Sequence, residues 1–227
     1  MTQSAKDNAG FNIAEQEKMN YYKQNIKMKG DPAMISDSAI NQTLQTLIEG
    51  NKRFAAMKAT HPNQGKERRD EVKGGQKPFA VIVGCSDSRI PPEILFDQGI
   101  GDLFVVRLAG NVVHDTALGS VEYAVDNLGV RLVVVLGHSK CGAVTAAAKG
   151  GEAHAHIGSI TDMIQPAIAH AKGKSGDLID NAIRENARLA AGIIASSGPM
   201  LGKMVHEGKI AVVPAYYDID TGMVELL

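Results

Sequence analysis

Two short polar stretches contain the residues whose types and spacing could perform chemistry: Cys85-Ser86-Asp87-Ser88-Arg89 and His138-Ser139-Lys140-Cys141-Gly142. Each stretch follows an apolar run, residues 79–84 and 132–137, that is typical of a buried strand. Open α/β sheets bind ligands at the carboxyl ends of parallel strands, so we expect the two stretches to meet there. Two thiolates and one imidazole, from Cys85, Cys141 and His138, would form a three-ligand set for zinc and leave a fourth position free.

The chain has only these two cysteines, and other interpretations of them stay open at this point. They could be small buried apolar residues beside a hydrogen-bonded histidine, or they could form a disulfide, which would require an oxidising compartment. A thiol nucleophile with Arg89 as its anion holder is disfavoured, because the loop between Cys85 and Arg89 is too short to cradle a phosphate. Structural zinc sites normally have four cysteine or histidine ligands, so a set of three favours an open site, with Asp87 as the remaining candidate ligand.

The pattern Cys-x-Asp-x-Arg followed by His-x-x-Cys-Gly resembles the β-class carbonic anhydrases. The similarity extends from about Leu44 to the C-terminus and is dense between Gln76 and Ala146. Within that region it includes three further segments: Gly101–Arg107, the Ala109-Gly110-Asn111 turn and Ser120–Ala124. The two motifs together are far more specific than either one alone.

This resemblance implies an enzyme that reversibly hydrates carbon dioxide to bicarbonate and a proton by means of zinc-bound hydroxide, with Zn²⁺ as its cofactor. It implies metal ligands at Cys85, His138 and Cys141 and a catalytic dyad of Asp87 and Arg89. In the active state, Arg89 would hold the Asp87 carboxylate off the metal. With the pair broken, Asp87 would become the fourth ligand and exclude water.

The resemblance also implies a set of substrate-binding residues. In the plant-like branch of the family, an amide at the position of Gln76 donates a hydrogen bond to substrate oxygen, often across a subunit boundary. The Gly142 backbone N–H could bind an anion. Ile82 occupies the position of a tryptophan found in the bicarbonate-regulated branch, so that form of regulation is not expected. Three residues match positions that line the apolar carbon dioxide pocket, and Ala109 is smaller than the usual valine: Phe104, Ala109 and Tyr123.

Two other functions remain as alternatives. The same site could hydrolyse carbon disulfide or carbonyl sulfide, as some relatives do, because these molecules are also small and linear. The protein could instead be a non-catalytic zinc-binding scaffold with Asp87 as a permanent fourth ligand. The presence of Arg89 and Gln76 disfavours the scaffold.

Composition indicates neither a nucleic-acid-binding nor a membrane protein. The 227 residues include 24 basic and 25 acidic side chains, which leaves no charge bias towards either partner. No apolar run approaches the ~20 residues that a membrane span needs. Residues 1–31 contain no apolar segment typical of a signal peptide, and we expect a cytoplasmic protein, although an exported form whose signal peptide was removed is the alternative.

Apolar runs that alternate with helical patterns predict an α/β fold with a doubly wound, mostly parallel central sheet, flanked by helices. The expected parallel strands cover about 79–84, 103–106, 131–136 and 210–213, with a returning antiparallel edge strand at 223–226. The main helices are expected at about 39–57, 116–128, from 142, 157–170 and 178–196. Residues 1–38 are expected to form a helical arm that packs on a partner subunit, and residues 39–227 the catalytic domain. By resemblance, the expected assembly is a homodimer or a dimer of dimers.

Overall fold

A five-stranded sheet in the order β2-β1-β3-β4-β5 lies at the centre of the computed structural model, which describes Ile35, residues 37–151 and residues 155–227. The first four strands are parallel, and β5 is antiparallel to β4. The strands are β1 (Ala80–Gly84), β2 (Leu103–Arg107), β3 (Leu132–His138), β4 (Ala211–Tyr217) and β5 (Val224–Leu226). The predicted fold class, including the antiparallel edge strand, is therefore confirmed.

Eight α-helices accompany the strands in the described part of the chain. They are α1 (Ser38–Ala55), α2 (Lys66–Val72), α3 (Pro92–Leu95), α4 (Asp115–Leu128), α5 (Gly142–Lys149), α6 (Ile157–Ala171), α7 (Leu178–Ala195) and α8 (Leu201–His206). None of these helices is long and apolar enough to cross a membrane. Apart from Ile35, Asp37 and Ser38, the expected N-terminal arm lies outside the described residues, so its role stays a prediction.

Helices cover both faces of the sheet, and β1 and β3 are therefore buried along their whole lengths. Alternate residues of β1 point into two different cores. The first core contains Ile82 with side chains of α1, α5 and α6, and the second contains Val83 with side chains of α4 and α8. Helix α7 contributes to both cores. This arrangement leaves the carboxyl ends of β1 and β3 as the place where loops can form a site.

Two strands are longer than the sequence pattern predicts. β3 continues to His138, so this histidine ends the strand rather than lying in the loop after it. β4 continues through Pro214 to Tyr217, although proline usually interrupts a sheet. The nitrogen and carbonyl of a strand residue point to the same side of the strand, and the Pro214 carbonyl accepts from Leu227 N on the β5 side. The N–H that proline lacks would therefore point away from β3. The β5 ladder begins only at Ala215, so Pro214 is tolerated. The short helix α8 follows Gly198 and Pro199, and no pattern in the sequence predicted it.

Asn51 of α1 joins the C-terminal turn to the rest of the fold. Its side chain is buried and donates from Nδ2 to the carbonyls of Leu95 at 3.1 Å and Gly222 at 2.9 Å. Its Oδ1 accepts from Val224 N at 2.8 Å. The same turn contacts the loop after β3 through Ile219, so Asn51 supports that loop indirectly.

We predict that Asn51→Leu destabilises the protein by about 2–4 kcal/mol, because three backbone groups lose their partner in hydrogen bonds of which one is buried and two are partly buried, while the side-chain volume is kept. The measurement is the free energy of unfolding in guanidinium chloride, with Glu49→Ala on the exposed face of α1 as the control. Equal stability of Asn51→Leu and the control would show that the turn does not depend on these hydrogen bonds.

Candidate metal centre

The parallel pairing of β1 with β3 brings the two chemical stretches together. Gly84 of β1 is in register with Leu136 of β3. Cys85 directly follows Gly84, and His138 lies two residues after Leu136, so both are at the carboxyl end of the sheet. Cys141 is the N-cap of α5, which begins immediately after the loop. Among the described residues, one group of three side chains could hold a metal ion, and its ligand atoms all lie within 4.8 Å of one another: Cys85, His138 and Cys141.

His138 presents an unpaired nitrogen to this group. The side chain is fully buried, and its Nδ1 lies 2.9 Å from the carbonyl oxygen of Ser139. A carbonyl can only accept, so Nδ1 is the protonated nitrogen and Nε2 has a free lone pair in the neutral ring. In the described part of the chain, Nε2 has no hydrogen-bond partner. A buried polar atom without a partner is costly, and a metal ion would satisfy it.

The two sulfur atoms lie among backbone N–H donors that favour negative charge. Cys85 Sγ accepts from Gly110 N at 3.1 Å, and the N-terminal amides of α5 point towards Cys141. Both cysteines are free thiols, which is contrary to the disulfide interpretation. A hydrogen bond from Cys141 lowers the pKa of Cys85, and the same interaction raises the pKa of Cys141. The N–H donors around the sulfurs favour the thiolate form that binds a metal ion.

Asp87 and Arg89 form a bidentate ion pair beside this group. Arg89 donates from Nε to Asp87 Oδ1 at 2.9 Å and from Nη2 to Oδ2 at 2.7 Å. The Arg89 backbone N–H also donates to Oδ1 at 2.9 Å, and Nη2 reaches the carbonyl of Lys140 at 3.2 Å. Hydrogen bonds from the Arg89 side chain lower the pKa of Asp87 to about 2. The carboxylate is thus ionised and engaged with Arg89, while its Oδ2 lies 4.0 Å from His138 Nε2.

Arg107, at the end of β2, holds the backbone of the first stretch. Its Nε donates to the carbonyl of Cys85 at 2.8 Å, and its Nη2 donates to the carbonyl of Asp87 at 2.5 Å. The sequence pattern assigned no role to Arg107, although the residue lies in a segment that resembles the family. Its position directly after the expected strand at 103–106 was the available signal.

Ser139 holds the second stretch in a similar way. Its N–H donates to the Tyr217 carbonyl at 2.9 Å, and its Oγ accepts from Ile219 N at 2.9 Å. The carbonyl of Ser139, which fixes the His138 ring, is therefore held from the end of β4 and from the C-terminal turn. Sequence spacing could not have revealed this support, because the contacts join segments about 80 residues apart.

The residues expected to bind substrate form two separate groups. Ala109 precedes Gly110, whose N–H contacts Cys85 Sγ, and Gly142 follows Cys141, so both lie beside the metal ligands. Phe104 pairs with Val81 near the opposite end of β1.

About 13 Å of extended strand separates Val81 from Cys85, at ~3.3 Å per residue. The Tyr123 ring lies 6.3 Å from the Phe104 ring, and Gln76 is exposed in the loop before β1. These three side chains are therefore distant from the candidate metal ligands of their own chain.

We predict that Arg107→Lys weakens zinc affinity about 10- to 100-fold, because lysine cannot hold two carbonyls with a planar fork. Competition with a chromophoric chelator measures this affinity. Arg131→Lys is the matched control, since Arg131 Nε also donates to a backbone carbonyl, that of Lys209 at 2.9 Å, but far from the site. Unchanged affinity in Arg107→Lys would mean that the ligand loop keeps its position without the fork.

The geometry agrees with comparisons to known proteins. The sequence profile of the carbonic anhydrase family matches residues 80–224. The chain is 38% identical over 182 residues to carbonic anhydrase 2 of Mycobacterium tuberculosis, which covers 78% of this chain and 88% of that protein. The solved structure of the β-carbonic anhydrase CcaA has a TM-score of 0.65 at 26% identity, and covers 81% of this chain and 94% of the other.

One of two tetrameric β-carbonic anhydrases from Sordaria macrospora also has a TM-score of 0.65, at 24% identity, and covers 82% of this chain and 97% of the other. That likeness shows the fold alone. The matched profile includes both chemical stretches and spans well over half of the chain. The chain therefore belongs to the carbonic anhydrase family, in its β class.

Proposed function

We propose that the protein is a zinc enzyme that interconverts carbon dioxide and bicarbonate at the site formed by Cys85, His138 and Cys141. The observation that carries this proposal is the group of three buried ligand atoms within 4.8 Å, with an unpaired His138 Nε2 among them. Two sulfurs and one imidazole nitrogen suit zinc better than magnesium or calcium, which prefer oxygen ligands. The relatives that the chain matches over most of its length are named carbonic anhydrases, which supports this activity.

The side chains around the site would prepare it for attack on carbon dioxide. A zinc ion held by Cys85, His138 and Cys141 would lower the pKa of a water at its fourth position to ~7 and so would supply hydroxide at neutral pH. In this proposal, Asp87 would accept a hydrogen bond from the attacking oxygen and orient its lone pair. Arg89 engages both Asp87 oxygens, which would keep the carboxylate out of the position that water needs. The Gly142 N–H would bind the bicarbonate anion.

We also propose that the substrate pocket is completed by a second copy of the chain. One group of site residues lies at the carboxyl end of β1 and consists of the three metal ligands together with Ala109 and Gly142. A second group lies towards the other end of β1: Gln76, Phe104 and Tyr123. Tyr123 is 49% exposed and its ring centroid lies 6.3 Å from that of Phe104, so its ring is accessible to a partner subunit. A two-fold symmetric dimer would place one group opposite the other in both sites.

Arg89→Ala tests the role of the dyad. We expect the variant to keep about one zinc ion per chain and to lose at least about 100-fold in the rate of carbon dioxide hydration, because Asp87 is freed to compete with water. Stopped-flow hydration with a pH indicator and metal analysis give the two readouts. Arg131→Ala breaks an ion pair with Asp37 at 2.6 Å on the surface and serves as the control. Normal turnover in Arg89→Ala would remove the dyad from the mechanism.

Subunit complementation tests the shared pocket. Cys141→Ser disables the metal site of its own chain, and Gln76→Ala removes a group that we assign to the partner's pocket. Mixed dimers of the two variants, purified with two different tags, should show about half of the wild-type activity, since one of their two sites is intact. Mixed dimers that are as inactive as the parent variants would place Gln76 in the site of its own chain.

Parallel assays with carbon dioxide, carbon disulfide and carbonyl sulfide compare the proposed reaction with its nearest enzymatic alternative. The non-catalytic scaffold predicts no turnover of any of the three substrates and an aspartate ligand that stays on the metal above neutral pH. Turnover of carbon dioxide that exceeds turnover of the sulfur compounds is the result that we expect.

A further inference from the structure

Asn186 is the only polar side chain that α7 buries. The buried face of this helix otherwise consists of small and aliphatic residues: Ala182, Ile183, Ala187, Ala190, Ala191, Gly192 and Ile194. A buried amide costs free energy unless it is hydrogen-bonded, so its presence on such a face calls for a partner. That partner is the carbonyl of Gly110, to which Asn186 Nδ2 donates at 2.7 Å across 76 residues of sequence.

Gly110 connects this amide to the metal centre. Its N–H donates to Cys85 Sγ at 3.1 Å, while its carbonyl accepts from Asn186. The residue has φ 68° and ψ 21°, in the left-handed region that favours glycine. A Cβ atom here would lie 2.8 Å from Ile164 Cδ1 and 3.1 Å from Ala143 Cβ. The position therefore requires glycine, whose backbone is free to adopt other conformations unless neighbouring groups hold it.

We propose that Asn186 is a positioning residue of the metal centre: it fixes the Gly110 backbone so that the Gly110 N–H donates to the Cys85 sulfur and moderates its strength as a metal ligand. This inference rests on the proposed metal-binding function of Cys85. A hydrogen bond to a thiolate draws electron density from the sulfur, so it weakens electron donation to the metal and keeps the metal a stronger Lewis acid.

A purely structural role for Asn186 makes a different prediction. If the amide only fills space and joins α7 to the turn at Gly110, its loss should lower stability without a change at the sulfur. The electronic state of the sulfur can be read from the sulfur-to-metal charge-transfer absorption of the protein loaded with Co²⁺. That band reports the donor strength of the thiolates and is insensitive to a general loss of stability.

The experiment titrates Co²⁺ into the metal-free full-length wild type and into Asn186→Leu, which keeps the volume and removes the amide. We expect the charge-transfer band of Asn186→Leu to move to longer wavelength, because a sulfur without the hydrogen bond donates electrons more strongly. We expect its affinity for Co²⁺ to fall about 10-fold or more, because the sulfur is no longer held in position and this loss outweighs its stronger donation. Ile194→Val is the matched control, because it perturbs the buried face of the same helix two turns away and should leave the band unchanged. If Asn186→Leu does not fold, Asn186→Ala replaces it with the same two readouts.

Three outcomes separate the possibilities. A shifted band and weaker binding in the Asn186 variant, with neither change in Ile194→Val, support the proposal. An unchanged band and affinity in a folded Asn186 variant overturn it and leave the amide with a structural role. Absence of a sulfur-to-cobalt band in the wild type would overturn the proposed metal site itself, and the proposal with it.

Discussion

The burial of two sulfur atoms and one unpaired imidazole nitrogen within 4.8 Å is the constraint on which the site depends. A protein interior tolerates such a group only if charge is balanced and each polar atom has a partner. Both sulfurs are buried, and His138 Nε2 has no hydrogen-bond partner in the described part of the chain. A divalent ion bound by these three atoms would supply that partner and balance the charge of two thiolates.

The surrounding structure holds these three ligands from several directions. Arg107 fixes the carbonyls of Cys85 and Asp87, and Ser139 connects the second stretch to the end of β4 and to the C-terminal turn. Asn51 in turn fixes that turn to α1. Two of these supports, Arg107 and Asn51, lie on a strand and a helix rather than in the loops themselves. This arrangement restricts the movement of the three candidate ligands. Beside them, the exposed Arg89 holds both oxygens of the Asp87 carboxylate.

Much of this could be predicted from sequence because the decisive signals are local. Apolar runs before Cys85 and His138 indicated two buried strands, and the pairing of β1 with β3 places both stretches at one end of the sheet. The spacing from Asp87 to Arg89 is short enough for the observed ion pair to form within one loop.

The supporting contacts could not be predicted, because Arg107, Ser139 and Asn186 act over separations of 20 to 80 residues. The separation of Phe104 and Tyr123 from the metal ligands also emerged only from the register of β2 on β1. The expected strand ended at residue 213, before Pro214, whereas β4 continues to Tyr217. Proline is tolerated there because its backbone nitrogen points towards β5 and not towards β3, which the sequence alone does not reveal. The N-terminal arm, the family branch, the assembly and the cellular compartment stay predictions.

X-ray absorption spectroscopy at the zinc edge, on the purified full-length protein above neutral pH, tests the central claim most directly. We predict about one zinc ion per chain, with two sulfur ligands at about 2.3 Å, one nitrogen at about 2.0 Å and one oxygen from water, in a protein that hydrates carbon dioxide. A folded protein without metal and with its sulfurs in a disulfide, or zinc bound without sulfur ligands, would contradict the account.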